Sequence, residues 1–172
     1  NHTDTVGWTY DLADQVTAET STLNGSSVSY TYNPNASRQT LSLAGTLLAT
    51  YAYDDASRLD TITRGTSVYD FDHDSVNRRE SLTLPNGIVT TYGYDDLSRL
   101  TSLGATLSSA TITQFTYTYD HASNRTSKAT PEFAETYRYD HLSRLSGVDR
   151  PGLPRQWVYG YDAVGNRLSE QV

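Results

Sequence analysis

The sequence has no cysteine and no methionine, and it contains only 33 Leu, Ile, Val and Phe residues among its 172. Without cysteine, disulfides, thiolate metal sites and cysteine nucleophiles are excluded. Because no apolar run approaches the length of about 18 residues that a membrane span requires, we predict no membrane-spanning helix. The scarcity of long aliphatic side chains also argues against a large helical core.

Positive charge is scarce as well, since 13 Lys and Arg residues stand against 20 Asp and Glu residues, for a net charge of -7. Nonspecific nucleic-acid binding needs clustered cations near phosphates, so we expect no nucleic-acid partner. The basic residues are twelve Arg and one Lys. This ratio favours planar contacts with several donors over simple solubilising charge.

An aromatic-x-aromatic-Asp/Asn motif occurs in eight copies, and all fourteen tyrosines belong to it. The copies start at residues 8, 30, 51, 69, 92, 117, 137 and 159. The second aromatic residue of each copy is Tyr10, Tyr32, Tyr53, Phe71, Tyr94, Tyr119, Tyr139 or Tyr161, and the residue after it is Asp11, Asn33, Asp54, Asp72, Asp95, Asp120, Asp140 or Asp162. These copies predict one tandem array over residues 1–172, which we expect to be a segment of a longer chain.

An arginine follows the acidic residue at a distance that alternates along the chain. Arg58, Arg99 and Arg144 lie four residues after it, whereas Arg38, Arg125 and Arg167 lie five residues after it. Arg78 lies six residues after Asp72, which indicates a one-residue insertion, and the first copy has Gln15 in place of arginine. The alternation indicates a two-copy unit of about 43 residues.

The aromatic residues at i and i+2 project from one face of a β-strand. Turn residues follow each motif, and glycine-containing turns such as 44–45 and 64–65 separate the next strand candidates. One repeat therefore predicts two antiparallel strands. Eight repeats predict an all-β fold in which about sixteen strands form one continuous antiparallel sheet.

Stacked repeats place equivalent side chains next to each other, so we predict ladders of tyrosine rings along the sheet. In this interpretation the Asp accepts N–H groups within its turn, and the Arg bonds carbonyls or the Asp of an adjacent repeat. Asn33 fits the same role, because an amide keeps an acceptor without the charge. We expect Leu59, Leu100, Leu145 and Leu168, which follow the Arg, to cap the ladder.

The repeat resembles the YD-repeat, or RHS-repeat, family. Residues 94–100 (Tyr-Asp-Asp-Leu-Ser-Arg-Leu) and 162–168 (Asp-Ala-Val-Gly-Asn-Arg-Leu) carry this resemblance. It implies a β-sheet strip that spirals into a hollow shell or tube, as in RHS toxin shells, the BC cocoon of Tc toxins and teneurin-like barrels. It also implies a secreted or cell-surface protein whose partners are neighbouring YD repeats and an encapsulated toxin domain.

Other chemistries have weaker signals. Asp120, His121 and Ser123 are the residue types of a hydrolase triad, but neighbouring side chains in a turn diverge. His121 and His141 share a motif position that elsewhere varies, and paired acids such as Asp54 and Asp55 lack a calcium-loop spacing. We therefore predict no enzyme, no metal and no cofactor. Exposed tyrosines could stack on sugar rings, which leaves glycans as candidate partners.

Three functions are compatible with these observations. The first is a non-enzymatic wall segment of a β-shell that encapsulates toxin or other cargo. The second is an extracellular fibre or filament subunit built by edge-to-edge β-pairing, because a sheet with open edges can pair with further copies. The third is a cell-surface adhesion or carbohydrate-binding module.

Overall fold

The computed structural model describes residues 5–23, 25–152 and 157–171, and these residues form β-strands joined by turns. The sixteen strands are β1 (Val6–Tyr10), β2 (Val16–Ser21), β3 (Ser27–Tyr32), β4 (Arg38–Leu43), β5 (Thr46–Tyr53), β6 (Leu59–Arg64), β7 (Ser67–His73), β8 (Arg79–Thr83), β9 (Ile88–Tyr94), β10 (Leu100–Leu107), β11 (Ala110–Tyr119), β12 (Arg125–Ala129), β13 (Ala134–Tyr139), β14 (Leu145–Asp149), β15 (Trp157–Tyr161) and β16 (Arg167–Gln171). The predicted all-β fold is confirmed.

The strands belong to one sheet in which their order follows the chain from β1 to β16. Within each repeat, the strand that carries the aromatic residues pairs antiparallel with the strand after it, as in β3 with β4 and β11 with β12. The chain divides into two compact units, Asn1–Asn86 with β1 to β8 and Gly87–Val172 with β9 to β16. The repeat runs through both units.

The two faces of the sheet differ in chemistry. In β11, Phe115, Tyr117 and Tyr119 are half-buried on one face, whereas Thr116 and Thr118 are exposed on the other. The hydroxyl-bearing face is linked by side-chain hydrogen bonds between neighbouring strands, such as the 2.7 Å contact between the Thr118 and Ser127 hydroxyls. The two-residue period of a strand therefore separates an aromatic face from a hydroxyl-rich face.

Deep burial is rare in this sheet. Ala49, at 7% exposure, is the one buried hydrophobic residue of the described part of the chain. No described helix is both long enough and apolar enough to cross a membrane. A half-buried face removes less apolar surface from water than a closed core does. Contacts between neighbouring repeats therefore contribute a large share of the stability of the sheet.

The turns that join one repeat to the next differ in length, and we call them return turns. Residues 44–45 and 65–66 form two-residue return turns, in which Gly45 and Gly65 have φ values of 79° and 59°. The predicted turn at 44–45 is confirmed, whereas the predicted turn at 64–65 lies one residue later, at 65–66, because Arg64 is the last residue of β6. Residues 108–109 form another two-residue turn, and Thr130 and Phe133 close a longer one through a 2.8 Å backbone hydrogen bond. Asn24 of the predicted 24–25 turn lies outside the described residues.

Candidate functional site

Each repeat makes the same five-residue turn, which we call the Asp turn. The eight Asp turns start at Asp11, Asn33, Asp54, Asp74, Asp95, Asp120, Asp140 and Asp162. In each, the N–H of the first residue donates to the carbonyl of the fifth at 2.8–3.0 Å, and the N–H of the fourth donates to the carbonyl of the first at 2.8–3.2 Å. The fourth residue has positive φ in all eight: Asp14, Ala36, Ser57, Asn77, Ser98, Ser123, Ser143 and Gly165. This left-handed backbone disfavours bulky side chains, which explains the small and polar composition of the position.

The aspartate side chain fastens its own turn. Asp95 Oδ1 accepts the N–H groups of Leu97 and Arg99 at 3.0 and 2.9 Å, while Asp95 Oδ2 accepts Arg99 Nε at 2.7 Å. The same ion pair at 2.7 Å occurs in the turns that start at Asp54, Asp74 and Asp140. In the turns at Asp120 and Asp162, an asparagine amide replaces the guanidinium at 3.0 and 2.9 Å. The second carboxylate oxygen therefore accepts a hydrogen bond either from a charged guanidinium or from a neutral amide.

The fourth copy corrects the sequence prediction, because its Asp turn starts at Asp74 and not at Asp72. Arg78 lies four residues after Asp74 and pairs with it, so there is no insertion. Asp72 lies within β7 on the exposed face and accepts a hydrogen bond from Ser81 Oγ at 2.6 Å. His73 takes the position of the second aromatic residue, which hid the true register from a search for aromatic pairs.

The predicted alternation of arginine spacing reflects two different positions in the repeat. Arg58, Arg99 and Arg144 are the fifth residues of their Asp turns and bind the turn aspartate. Arg38, Arg79, Arg125 and Arg167 come one residue later, at the first position of the return strand. All eight turns have equal length, so the alternation concerns residue types at adjacent positions and not turn lengths.

The amide turn at Asn33 differs from the prediction made for it. Asn33 was expected to act as an acceptor, but its Nδ2 donates to Ser37 Oγ at 2.9 Å. The neighbouring Asn35 Oδ1 supplies the acceptor instead, taking the Ser37 N–H at 3.2 Å and the Ser37 hydroxyl at 2.6 Å. The turn keeps its backbone conformation through a different side-chain network.

Arginines of the Asp turns also reach the next repeat. Arg58 Nη1 donates to the backbone carbonyl of Asp74 at 2.9 Å, and Arg99 Nη1 does the same to Asp120 at 2.9 Å. Arg144 Nη1 repeats the contact with the Asp162 carbonyl at 3.0 Å. One guanidinium therefore holds its own carboxylate and the start of the following turn, as the planar fork of arginine allows.

Tyrosine hydroxyls make a second link between repeats. Tyr119 donates to the carbonyl of Leu100, the first residue of the return strand in the preceding repeat, at 2.8 Å. The same contact, at 2.8–2.9 Å, joins Tyr32 to Val16, Tyr53 to Arg38, Tyr139 to Arg125 and Tyr161 to Leu145. In these five copies the second aromatic residue contributes a hydroxyl as well as a ring.

The rings themselves are joined by cations and do not form the predicted tyrosine-on-tyrosine ladder. Among the described residues, the one stacked ring pair is Phe115 with Tyr117, in the same strand. Between strands, the Arg125 guanidinium lies 5.5 Å from the ring centre of Tyr117 and 4.8 Å from that of Tyr137. Arg99 lies 4.8 Å from Tyr119 of the next repeat. Cation–π contacts thus link aromatic side chains that belong to different repeats.

The local bonds shift the pKa values of the turn carboxyls. The backbone N–H of Arg99 and its guanidinium lower the pKa of Asp95 against the effect of desolvation, and Asp54, Asp74 and Asp140 show the same pattern. Asp120 and Asp162 also have lowered pKa values, mainly through their asparagine partners. On the aromatic face, burial and a hydrogen bond to Glu135 raise the pKa of Tyr137 to about 12.

The weaker candidate sites of the sequence are largely occupied by these contacts. Asp120 and Ser123 of the triad-like run belong to an Asp turn, where the Ser123 hydroxyl accepts Arg99 Nη1 at 3.3 Å. Within residues 5–23, 25–152 and 157–171, no three His, Asp or Glu side chains are grouped as ligands for a metal ion. The Asp, Arg and Tyr side chains that recur in the repeats form hydrogen bonds with the protein's own backbone.

The sequence profile described as RHS Repeat matches residues 73–110, which contain the Asp turns at Asp74 and Asp95. The RHS repeat is therefore shown for this stretch of the chain. No curated protein matches the chain in sequence.

Solved structures resemble this chain in fold. "Crystal Structure of TcdB2-TccC3 without hypervariable C-terminal region" matches with a TM-score of 0.78 at 14% identity, over 94% of this chain and 10% of that one. "Crystal Structure of TcdB2-TccC3-Cdc42" matches with a TM-score of 0.75 at 14% identity, over 92% of this chain and 10% of that one. The chain thus spans about a tenth of the length of these structures.

Proposed function

We propose that this chain is a member of the RHS-repeat family and a non-enzymatic segment of the wall of a β-shell that encloses a toxin or other cargo. The observation that carries the proposal is the contact between successive repeats. Arg99 holds Asp95 of its own turn, the Asp120 carbonyl of the next turn and the face of Tyr119. A wall built from repeats requires such a link, because each repeat then positions the one that follows.

The similarity in fold to the TcdB2-TccC3 structures supports the same proposal. The matched part is about a tenth of those chains, so an enclosed volume would be made by a longer chain to which these repeats contribute. The proposed partners are neighbouring repeats and an enclosed polypeptide. The proposed location is outside the cell or at its surface.

The non-enzymatic part of the proposal rests on how the reactive side chains are used. Asp carboxylates that an enzyme would employ as acids or bases are held ionised by turn N–H groups and arginines, with lowered pKa values. A general base near neutral pH normally has a pKa shifted in the opposite direction, toward the working pH. This environment suits a fixed structural anion.

The proposal is tested on the protein isolated from its source. Its mass under denaturing conditions is measured first, and we expect a value many times the 19.1 kDa of this segment. The native protein is then treated with a protease, with and without prior unfolding. A cargo region cleaved only after unfolding would support an enclosing wall. A chain of about the segment's own mass that forms filaments would contradict it, as would equal cleavage before and after unfolding.

A further inference from the structure

The hairpin of β10 and β11 extends beyond its neighbour on one side. On the β9 side it is covered to its tip, where Leu107 pairs with Ile88. On the β12 side, pairing covers residues 116–119 of β11 and stops where Thr116 meets Ala129. No other described strand pairs with residues 110–115, which therefore form a strand edge of about 20 Å inside the repeat array.

Charge and proline, two of the features that usually protect an exposed strand, are absent from this edge, while a β-bulge at Ile112 interrupts its pairing with β10. Its sequence is Ala-Thr-Ile-Thr-Gln-Phe, without charge or proline, and Ile112 is 53% exposed. Alternate residues of an antiparallel strand direct their N–H and C=O groups to the uncovered side, and the bulge shifts this alternation by one residue between Thr111 and Thr113. Thr111 pairs with Thr106 next to the closing pair of the two-residue turn, so its backbone groups point outward. Such an edge is a template for an added strand.

The uncovered edge ends where residues 129–131, at the end of β12 and in the turn after it, begin to cover β11, and we call this end the floor of the edge. A cleft of about 350 Å³ lies there, lined by Gln114, Thr116, Ala129, Thr130 and Pro131. A strand added antiparallel to β11 runs in the same direction as β12, so its amino end meets this floor. Glu132 Oε2 accepts the Thr130 hydroxyl at 3.2 Å, which places a carboxylate beside the residues that line the cleft.

We propose that residues 110–115 bind an extended peptide of about six residues as an added antiparallel strand. The peptide would be uncharged and rich in β-branched residues along the edge, and it would carry a cation at its amino end near Glu132. This inference concerns a binding surface and is independent of the proposed enclosing function.

A second copy of the chain fits the edge poorly. If two copies paired residues 110–115 antiparallel with each other, the 108–109 turn of one copy would lie beside residues 116 and 117 of the other. Those residues are already paired with Ala129 and Lys128. A single extended strand can use the full edge, because it has no turn to collide with the floor.

The test uses a fluorescent hexapeptide amide of alternating Thr and Val after an amino-terminal Lys, with binding followed by anisotropy. We expect saturable binding and slower hydrogen exchange of amides in residues 110–115. N-methylation of alternate peptide amides is expected to weaken binding about tenfold or more, the effect of losing one hydrogen bond or more. Thr111→Pro removes an outward backbone N–H and is expected to weaken binding similarly. The matched control Thr111→Val retains this N–H.

Two further comparisons sharpen the test. Glu132→Gln should weaken binding of the Lys peptide more than that of an acetylated peptide without Lys. Absence of binding to folded Thr111→Val would overturn the proposal, as would binding that is insensitive to both N-methylation and Thr111→Pro. Sedimentation that shows a dimer of the chain alone, dissociated by Thr111→Pro, would assign the edge to a second copy and also overturn it.

Discussion

The turns at the two ends of the hairpins differ in how regular their lengths and hydrogen bonds are. At one end, all eight Asp turns have five residues, the same backbone bonds and positive φ at the fourth residue. At the other end, the return turns range from the two residues at 108–109 to the longer turn closed by Thr130 and Phe133. The Asp turns contact each other through arginine, so a change in one moves its neighbour. The described return turns do not share one length or one pattern of closing hydrogen bonds.

The largest expected effect comes from lengthening an Asp turn. Insertion of one glycine after Ser98 should lower the melting temperature strongly, because Arg99 would lose register with Asp95 and with the Asp120 carbonyl together. Insertion of one glycine between Ser108 and Ser109 is the control and should cost less than about 1 kcal/mol, since loop-closure entropy grows slowly with length. Equal losses in thermal denaturation would remove the distinction between the two ends.

The tyrosine links give the next largest effect. Tyr119→Ser removes a half-buried ring and its bond to Leu100, and we expect a loss of about 2–3 kcal/mol in the free energy of unfolding. Tyr119→Phe removes the hydroxyl alone and should cost about 1 kcal/mol. Urea denaturation of the two variants separates ring from hydroxyl. An unchanged midpoint for Tyr119→Ser would contradict the link between repeats.

The fourth position of the Asp turn gives a smaller effect of defined sign. Ala36 has a φ of 66°, so Ala36→Val should destabilise the chain by about 1–2 kcal/mol through backbone strain. Ala36→Gly relieves the strain but adds freedom to the unfolded chain, so its net effect should be small. Chemical denaturation distinguishes them; a Val variant as stable as Gly would show that the left-handed backbone is not required there.

The smallest effect is a local response to acid. Because the pKa of Asp95 is lowered by folding, the stability it provides is complete above its ordinary value of 3.8 and is lost as the pH falls through the lower folded value. Amides of the Asp95 turn should therefore open in acid, whereas the turn at Asn33 has no such carboxylate and should respond less. Hydrogen exchange corrected for intrinsic rates compares the two turns. An equal response at both would contradict the assignment.

Much of the fold could be predicted from residue spacing, and part of the site could not. Aromatic residues two positions apart predicted the strands, because residues i and i+2 of a strand lie on the same face of the sheet. The spacing of aromatic residues predicts Asp72 instead of Asp74, because His73 stands at the second aromatic position in the Phe71-Asp72-His73-Asp74 run. Counting four residues back from Arg78 would have found the correct turn, because the ion pair is constant while the aromatic residue is not.

The sequence by itself determined the repeat, the strands and the position of most Asp turns. The strands and the turns depend on neighbours within about ten residues, where backbone geometry alone relates spacing to structure. Only the tertiary structure decided that arginines separate the tyrosine rings, that Arg99 reaches Asp120, and that residues 110–115 form an uncovered edge. These features depend on how strands from different repeats align, and that register is fixed by side chains about twenty residues apart in the chain.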